Sequence, residues 1–108
     1  MFDMMGKISE AKKKVEETKE RLNSVYVTGE SGNGKIKIVA TANREVKEVN
    51  IDETLMQGDK EELEDLMILA INKAIENATN VQEAELAAAA KDVMPNIPGL
   101  GSLGKMFG

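Results

Sequence analysis

The chain has 108 residues and a formal net charge of -5, and it contains neither cysteine nor histidine. The missing residue types exclude disulfides, the usual zinc sites, thiol nucleophiles and imidazole general bases. The length predicts one domain, near the size at which a single core is only marginally sufficient and a second copy often supplies further burial.

The negative charge belongs to one segment of the chain. Residues 1–23 carry six basic and five acidic groups, whereas residues 52–93 carry three basic and eleven acidic groups. This separation leaves a basic surface available to an anionic partner despite the net charge. Neither a secretory signal nor a stretch of about 18 apolar residues occurs, so we expect a cytoplasmic location and no membrane segment.

The first predicted element is an amphipathic helix with a narrow apolar stripe. The stripe follows heptad spacing, with steps of four and three, through Met4, Ile8, Ala11, Val15, Thr18, Leu22 and Val25. Basic residues flank it on both sides, with Lys7, Lys14 and Arg21 on one side and Lys12 and Lys19 on the other. Pairing of this helix with its own copy in parallel would bring like charges together. We therefore expect the stripe to pack on the acidic second helix.

Acidic residues on the outer face of this helix are spaced for local ion pairs. Glu10 with Lys14 and Glu17 with Arg21 have the i,i+4 separation that partly neutralises the bases. Taken alone, the pattern is typical of an ordinary solvated helix. The stripe is too narrow and too poor in aromatic residues for a typical interfacial membrane helix.

Three strand patterns follow. Alternation of apolar and polar residues over Val25–Thr28 and Lys35–Thr41 predicts two strands, and the run through Val46 to Ile51 predicts a third. The Gly29–Gly34 segment and the pair Asn43-Arg44 have turn composition. The sequence therefore predicts a three-stranded antiparallel sheet, with Lys35 and Lys37 on its polar face.

Part of the first turn imitates a phosphate-binding loop. Gly29, Gly34 and Lys35 have the spacing of the first seven P-loop positions, but Ile36 stands where that loop needs a hydroxyl. The following residues alternate as a strand, so no helix N-terminus would face a phosphate. We interpret the segment as a plain hairpin turn.

The second long helix begins with a capping signal. Asp59 and Glu62 have capping-box spacing, and further acids occupy the first turns, where the helix dipole favours them. A wide apolar face follows, formed by Leu63, Leu66, Met67, Ala70, Ile71, Ala74, Ile75 and Ala78. The pattern continues to Asp92, with a weak point or break predicted at 77–80, and must end before Pro95. Residues 94–108 are predicted to form a flexible Pro/Gly/Met tail.

These elements, in this order, resemble the YbaB/EbfC family of bacterial nucleoid-associated proteins. The resemblance rests on Val27-Thr28-Gly29-Glu30-Ser31-Gly32 with Gly34, on Val49-x-Ile51-Asp52 with Leu55, and on Glu61-x-Leu63-Glu64-Asp65-Leu66 with Ala70, Asn72 and Ala74. The family often has glycine in the second turn and proline after the Ile-Asp pair. This chain has Asn43-Arg44 and Glu53 at those places.

The resemblance implies an α+β fold of order α-β-β-β-α over residues 1–93, with long N- and C-terminal helices and a two-fold homodimer. It also implies a protein that binds double-stranded DNA in the nucleoid, with helices projecting like the arms of tweezers. The residues expected to contact phosphates are Lys7, Lys12, Lys13, Lys14, Lys19 and Arg21. We expect little sequence specificity, no cofactor, no small-molecule substrate, no membrane partner and no enzymatic activity.

A function of another class stays open. The segregated charge also suits a dimeric scaffold or adaptor that binds a protein partner through the acidic second helix and the Met-rich ends, without contacting DNA. The two interpretations differ in whether the protein retards duplex DNA at low salt, and in whether that binding weakens steeply as salt rises.

Overall fold

The computed structural model describes residues 2–93, with side chains described for residues 6–91. Its elements are helix α1 (Phe2–Leu22), strands β1 (Tyr26–Ser31), β2 (Ile36–Thr41) and β3 (Val46–Ile51), helix α2 (Glu53–Met56) and helix α3 (Lys60–Val93). The predicted α-β-β-β-α order is confirmed, and the short α2 is an additional element. The tail predicted over residues 94–108 lies outside the described residues.

The three strands form one antiparallel sheet in the order β1-β2-β3. Ile36, Ile38 and Ala40 of β2 are fully buried and form the centre of the core, together with residues of α3. Lys35 and Lys37 are exposed, as the alternation predicts. The sheet therefore has one face against α3 and one face in solvent.

Both hairpin turns contain residues in the left-handed backbone region. Gly32, Asn33 and Gly34 have φ values of 60°, 57° and 86°, and Arg44 in the second turn has a φ of 65°. Asparagine and glycine adopt this region readily, whereas arginine does so at some cost. Strand β2 follows the glycine-rich segment directly, so the hairpin interpretation is confirmed.

Helix α3 approaches the sheet very closely at Gly29. A Cβ atom there would lie 2.3 Å from both Ala70 O and Ala74 N, so only a glycine allows this approach. Ala70, Ala74 and Ala78 are fully buried along the contacting face of the helix. Because these helix residues are alanines and the strand residue is a glycine, the two backbones come into direct contact.

Helix α3 is continuous over 34 residues, and the break considered at 77–80 does not occur. Asn77 Nδ2 donates to Thr28 O at 2.8 Å, and Thr79 Oγ1 donates to Ile75 O at 2.8 Å. Both polar side chains therefore find partners without leaving the helical conformation. At 1.5 Å per residue the helix is about 51 Å long, which exceeds the width of the sheet.

Aspartates begin both helices that follow the sheet. Asp52 Oδ1 accepts from Thr54 N at 2.9 Å and from Thr54 Oγ1 at 2.7 Å, and thereby caps α2. These two hydrogen bonds hold the pKa of the Asp52 carboxyl below its ordinary value of 3.8. Asp59 Oδ1 accepts from Glu61 N at 3.2 Å, as expected for the cap of α3. Leu55 of α2 is buried against the core.

The molecule is elongated, with principal extents of 67 × 27 × 16 Å. The sheet lies under the first part of α3, and α1 packs on the part of α3 that extends past the sheet. We call α1 together with residues 82–93 of α3 the arm. None of the described helices is both long enough and apolar enough to cross a membrane.

Candidate functional site

The arm is built on the apolar stripe that heptad spacing predicts. Thr18 and Leu22 of α1 are buried, and Ala89 of α3 is buried opposite them, with 4% of its surface exposed. Ile8 is 59% exposed, so the stripe extends past its partner toward the N-terminal end of α1. The expected packing of the stripe on the acidic helix is thus confirmed, with Thr18 and Leu22 buried and Ala11 and Val15 half-buried.

Six basic side chains predicted to contact DNA lie on the surface of α1, and all are exposed: Lys7, Lys12, Lys13, Lys14, Lys19 and Arg21. Lys14 and Arg21 border one groove between the helices, which Ala88 of α3 also lines. Helical spacing places Lys12 and Lys19 on the opposite side of the stripe and Lys13 on the outer face. The arm therefore presents cations on both sides of the α1–α3 contact.

Arg21 differs from the lysines because α3 provides it with an ion partner. Its Nη2 donates to Glu85 Oε2 at 2.7 Å, and the two side chains are 57% and 42% exposed. The local pairs expected from the sequence, Glu17 with Arg21 and Glu10 with Lys14, are wrong, because neither forms within residues 6–91. Within residues 6–91, the other ion pair joins Lys47 to Glu45 at 2.6 Å. An exposed pair contributes about 0–1 kcal/mol, so a phosphate competes with Glu85 for Arg21.

Half of the acidic residues of α3 lie at its N-terminal end, far from the arm, whereas Glu83, Glu85 and Asp92 belong to the arm itself. Glu61, Glu64 and Asp65 are exposed at the N-terminal end of the helix, beside the sheet. Asp65 lies about 36 Å along the helix axis from Ala89, given 1.5 Å per residue. Separation by several Debye lengths prevents these carboxylates from cancelling the field of the arm lysines. Among the described residues, no acidic cluster is arranged to hold a metal ion.

A polar cluster joins the base of the arm to the sheet, and sequence reasoning missed it. Asn43, in the β2–β3 turn, donates through Nδ2 to Lys19 O at 2.7 Å and to Asn23 Oδ1 at 2.6 Å. Gln82 Nε2 of α3 donates to Asn43 Oδ1 at 3.1 Å. We call these four residues the Asn43 cluster. The sequence signals only a turn at Asn43, because its partners are 20 to 39 positions away.

Apolar side chains remain uncovered on β3 and on α3. Val46 and Val49 lie on the same sheet face as their buried neighbours in β2, but α3 crosses β1 and β2 and leaves them 40% and 43% exposed. On α3, Ile68 and Leu69 are 58% and 52% exposed. We call these four residues the uncovered apolar surface.

Comparison with known proteins agrees with the resemblance found in the sequence. Residues 1–93 match the family model of the YbaB/EbfC DNA-binding family. A protein of Flavobacterium johnsoniae named nucleoid-associated protein is 48% identical over 105 residues, which cover 97% of this chain and 98% of that protein. A crystal structure of an uncharacterized Helicobacter pylori protein superposes with a TM-score of 0.69 at 21% identity, over 75% of this chain and 86% of the other. The structural likeness supports the α-β-β-β-α fold.

Proposed function

The chain belongs to the YbaB/EbfC DNA-binding family, and we propose that it binds double-stranded DNA in the nucleoid as a homodimer, through phosphate contacts from the arm. The observation that carries this proposal is the exposure of Lys7, Lys12, Lys13, Lys14 and Lys19 along one helix. In residues 6–91 none of these five lysines forms an ion pair. Each is therefore available to neutralise a phosphate and release a condensed counterion.

The chemistry of the arm supports binding with little sequence specificity. Lysine is a point charge that binds a phosphate well but carries little of the bidentate geometry that distinguishes base edges. The arm has one arginine predicted to contact DNA, and Glu85 already engages it. Affinity should consequently depend strongly on salt and weakly on base sequence.

The uncovered apolar surface supports assembly into a two-fold homodimer. Val46, Val49, Ile68 and Leu69 form part of neither the buried core nor the α1–α3 contact. A second copy of the chain, related by a two-fold axis, would remove this surface from water and place two arms on one particle. We expect the dimer to be obligate, because one chain of this length has a marginal core.

The proposal is tested by reversing charges on the arm. In the variant Lys7→Glu, Lys12→Glu, Lys14→Glu, a symmetric dimer loses up to six phosphate contacts. Each lost contact should flatten the slope of log K against log salt by about 0.9 on duplex DNA, so binding near physiological salt should disappear. The measurement is the salt dependence of duplex retardation or anisotropy.

A matched control changes the net charge equally but outside the arm. Lys35→Glu, Lys37→Glu, Lys60→Glu reverses three exposed lysines on the sheet and at the start of α3. This variant should keep most of the salt slope. If both variants, folded and dimeric, bind DNA alike, the arm is not the contact surface.

An adaptor function is the second candidate, and the exposed acidic end of α3 favours it. Met56 is 63% exposed beside that end, which gives a protein partner an apolar contact among carboxylates. Failure of the unmodified protein to retard duplex DNA at low salt would support this alternative. Strong retardation that weakens steeply with salt supports the DNA-binding proposal.

A further inference from the structure

The Asn43 cluster supplies a hydrogen bond that the end of α1 lacks. Beyond the last turn of α1, Asn23 N donates to Glu20 O, Ser24 N to Arg21 O and Val25 N to Leu22 O. These i,i+3 bonds leave Lys19 O without the amide donor it would have in a longer helix. Asn43 Nδ2 donates to this carbonyl at 2.7 Å. A turn residue of the sheet therefore caps the C-terminus of the arm helix.

The same side chain also contacts α3. A backbone carbonyl can only accept, so the bond to Lys19 O sets which end of the Asn43 amide is the nitrogen. The Oδ1 atom then faces Gln82 Nε2, which donates to it at 3.1 Å. One asparagine thus connects the last turn of α1, the β2–β3 turn and α3 at the place where α3 leaves the sheet.

Helix α3 runs through the base of the arm without a break, whereas α1 has only short connections to the sheet. Only residues 23–25 separate α1 from β1, and Val25 O accepts from Ala42 N at 2.8 Å. Thr18 and Leu22 are buried on the α3 side of α1, but neither side chain hydrogen-bonds to the β2–β3 turn. Within residues 6–91, the Asn43 cluster is therefore the side-chain hydrogen-bond network that joins both arm helices to this turn.

We propose that Asn43 is a positioning residue that holds α1, the basic helix of the arm, at one angle to the sheet, and thereby sets the spacing of the two basic helices in the dimer. Its effect on DNA rests on the function proposed above, whereas its effect on the arm angle does not. An arm held at one angle pays less ordering entropy on binding. Loss of the cluster leaves every lysine in place, so the number of phosphate contacts is unchanged.

The arm angle can be measured directly by site-specific labelling, because the chain has no native cysteine. Cysteines introduced at Glu17 on the outer face of α1 and at Glu48 on β3 carry spin labels, and labelled chains are diluted with unlabelled ones. Asn43→Ala should broaden or shift the distance distribution while helix content and sedimentation stay unchanged. An unaltered distribution in folded Asn43→Ala protein overturns the proposal.

Two further variants separate this role from a general effect on turns. Asn33→Ala replaces the asparagine of the other hairpin turn, and the distance distribution should remain that of the unmodified protein. Asn43→Asp keeps the acceptor for Gln82 but replaces the donor to Lys19 O and Asn23 Oδ1, so it should loosen the arm as Asn43→Ala does. A rigid arm in Asn43→Asp would show that the donated bonds are not responsible.

DNA binding gives an independent readout. Asn43→Ala should lower affinity for duplex DNA by about fivefold or more, with the salt slope unchanged. A flattened slope would mean that phosphate contacts are lost, and would overturn positioning as the cause. If no form of the protein binds DNA, the proposed function fails, and the spin-label distances alone decide whether Asn43 positions the arm.

Discussion

At Gly29 a side chain would occupy space that the backbone of α3 already fills, since a Cβ lies 2.3 Å from Ala70 O and Ala74 N. We expect Gly29→Ala to lower the free energy of unfolding by about 3 kcal/mol or more, because either α3 or β1 must move. Urea denaturation at one fixed protein concentration measures this, since unfolding of a dimer depends on concentration.

Gly6 provides the matched control for this substitution. A Cβ at Gly6 meets nothing within 4 Å, and the residue lies on α1. Gly6→Ala should therefore stabilise the helix by about 0.5–1 kcal/mol. Equal stability of the two alanine variants would show that the close approach at Gly29 is not tight.

Single residues also show where sequence reasoning ends. The exposed lysines and the core residues Ile36 and Ile38 follow from periodicity alone, because their neighbours are on the same element. The ion partner of Arg21 does not follow from periodicity, because Glu85 is 64 positions away and Glu17 offers a possible partner on the same helix. Asn43 likewise has local turn chemistry that conceals three distant hydrogen bonds.

Among the elements, the long ones were predicted and the shortest was not. Helices α1 and α3 and the three strands show periodic apolar patterns. Helix α2 spans only 4 residues, which is too short to show a helical periodicity. Its signal is the cap, with Asp52 two positions before Thr54. The continuity of α3 could not be predicted from local helix propensity either, because a hydrogen bond from Asn77 to the sheet supports the helix there.

The cap of α2 predicts a pH dependence. The bonds from Thr54 hold the pKa of Asp52 below 3.8, so the ionised carboxylate is the stabilising form. Its contribution is complete well above pH 3.8 and is lost as pH falls through the lowered pKa of the folded state. The amide shift of Thr54 in NMR spectra should titrate with a midpoint below 3.8, while Asp52→Asn should abolish this titration. A midpoint at or above 3.8 would contradict the cap.

For the whole molecule, the prediction concerns assembly. Val49 is 43% exposed on the inner face of β3, so Val49→Asp would place a charge in the proposed dimer contact without entering the core of one chain. We expect sedimentation to show dissociation at micromolar concentration, accompanied by lower stability if the dimer is obligate. Asn50→Asp is the control, because Asn50 points to the opposite face of the same strand. If neither variant dissociates, the dimer contact lies elsewhere on the chain.

The pairing of α1 with the distal part of α3 has a consequence for synthesis on the ribosome. Arg21 and Glu85 are 64 positions apart, so at about 5–20 residues per second α1 waits roughly 3 to 13 s for its partner to be translated. During that interval the first part of α3 can complete the core of the sheet, but the basic amphipathic helix α1 stays unpaired. Among residues 2–93, the arm is therefore the last part to assemble, and slow codons between β3 and the end of α3 would lengthen the exposure of α1.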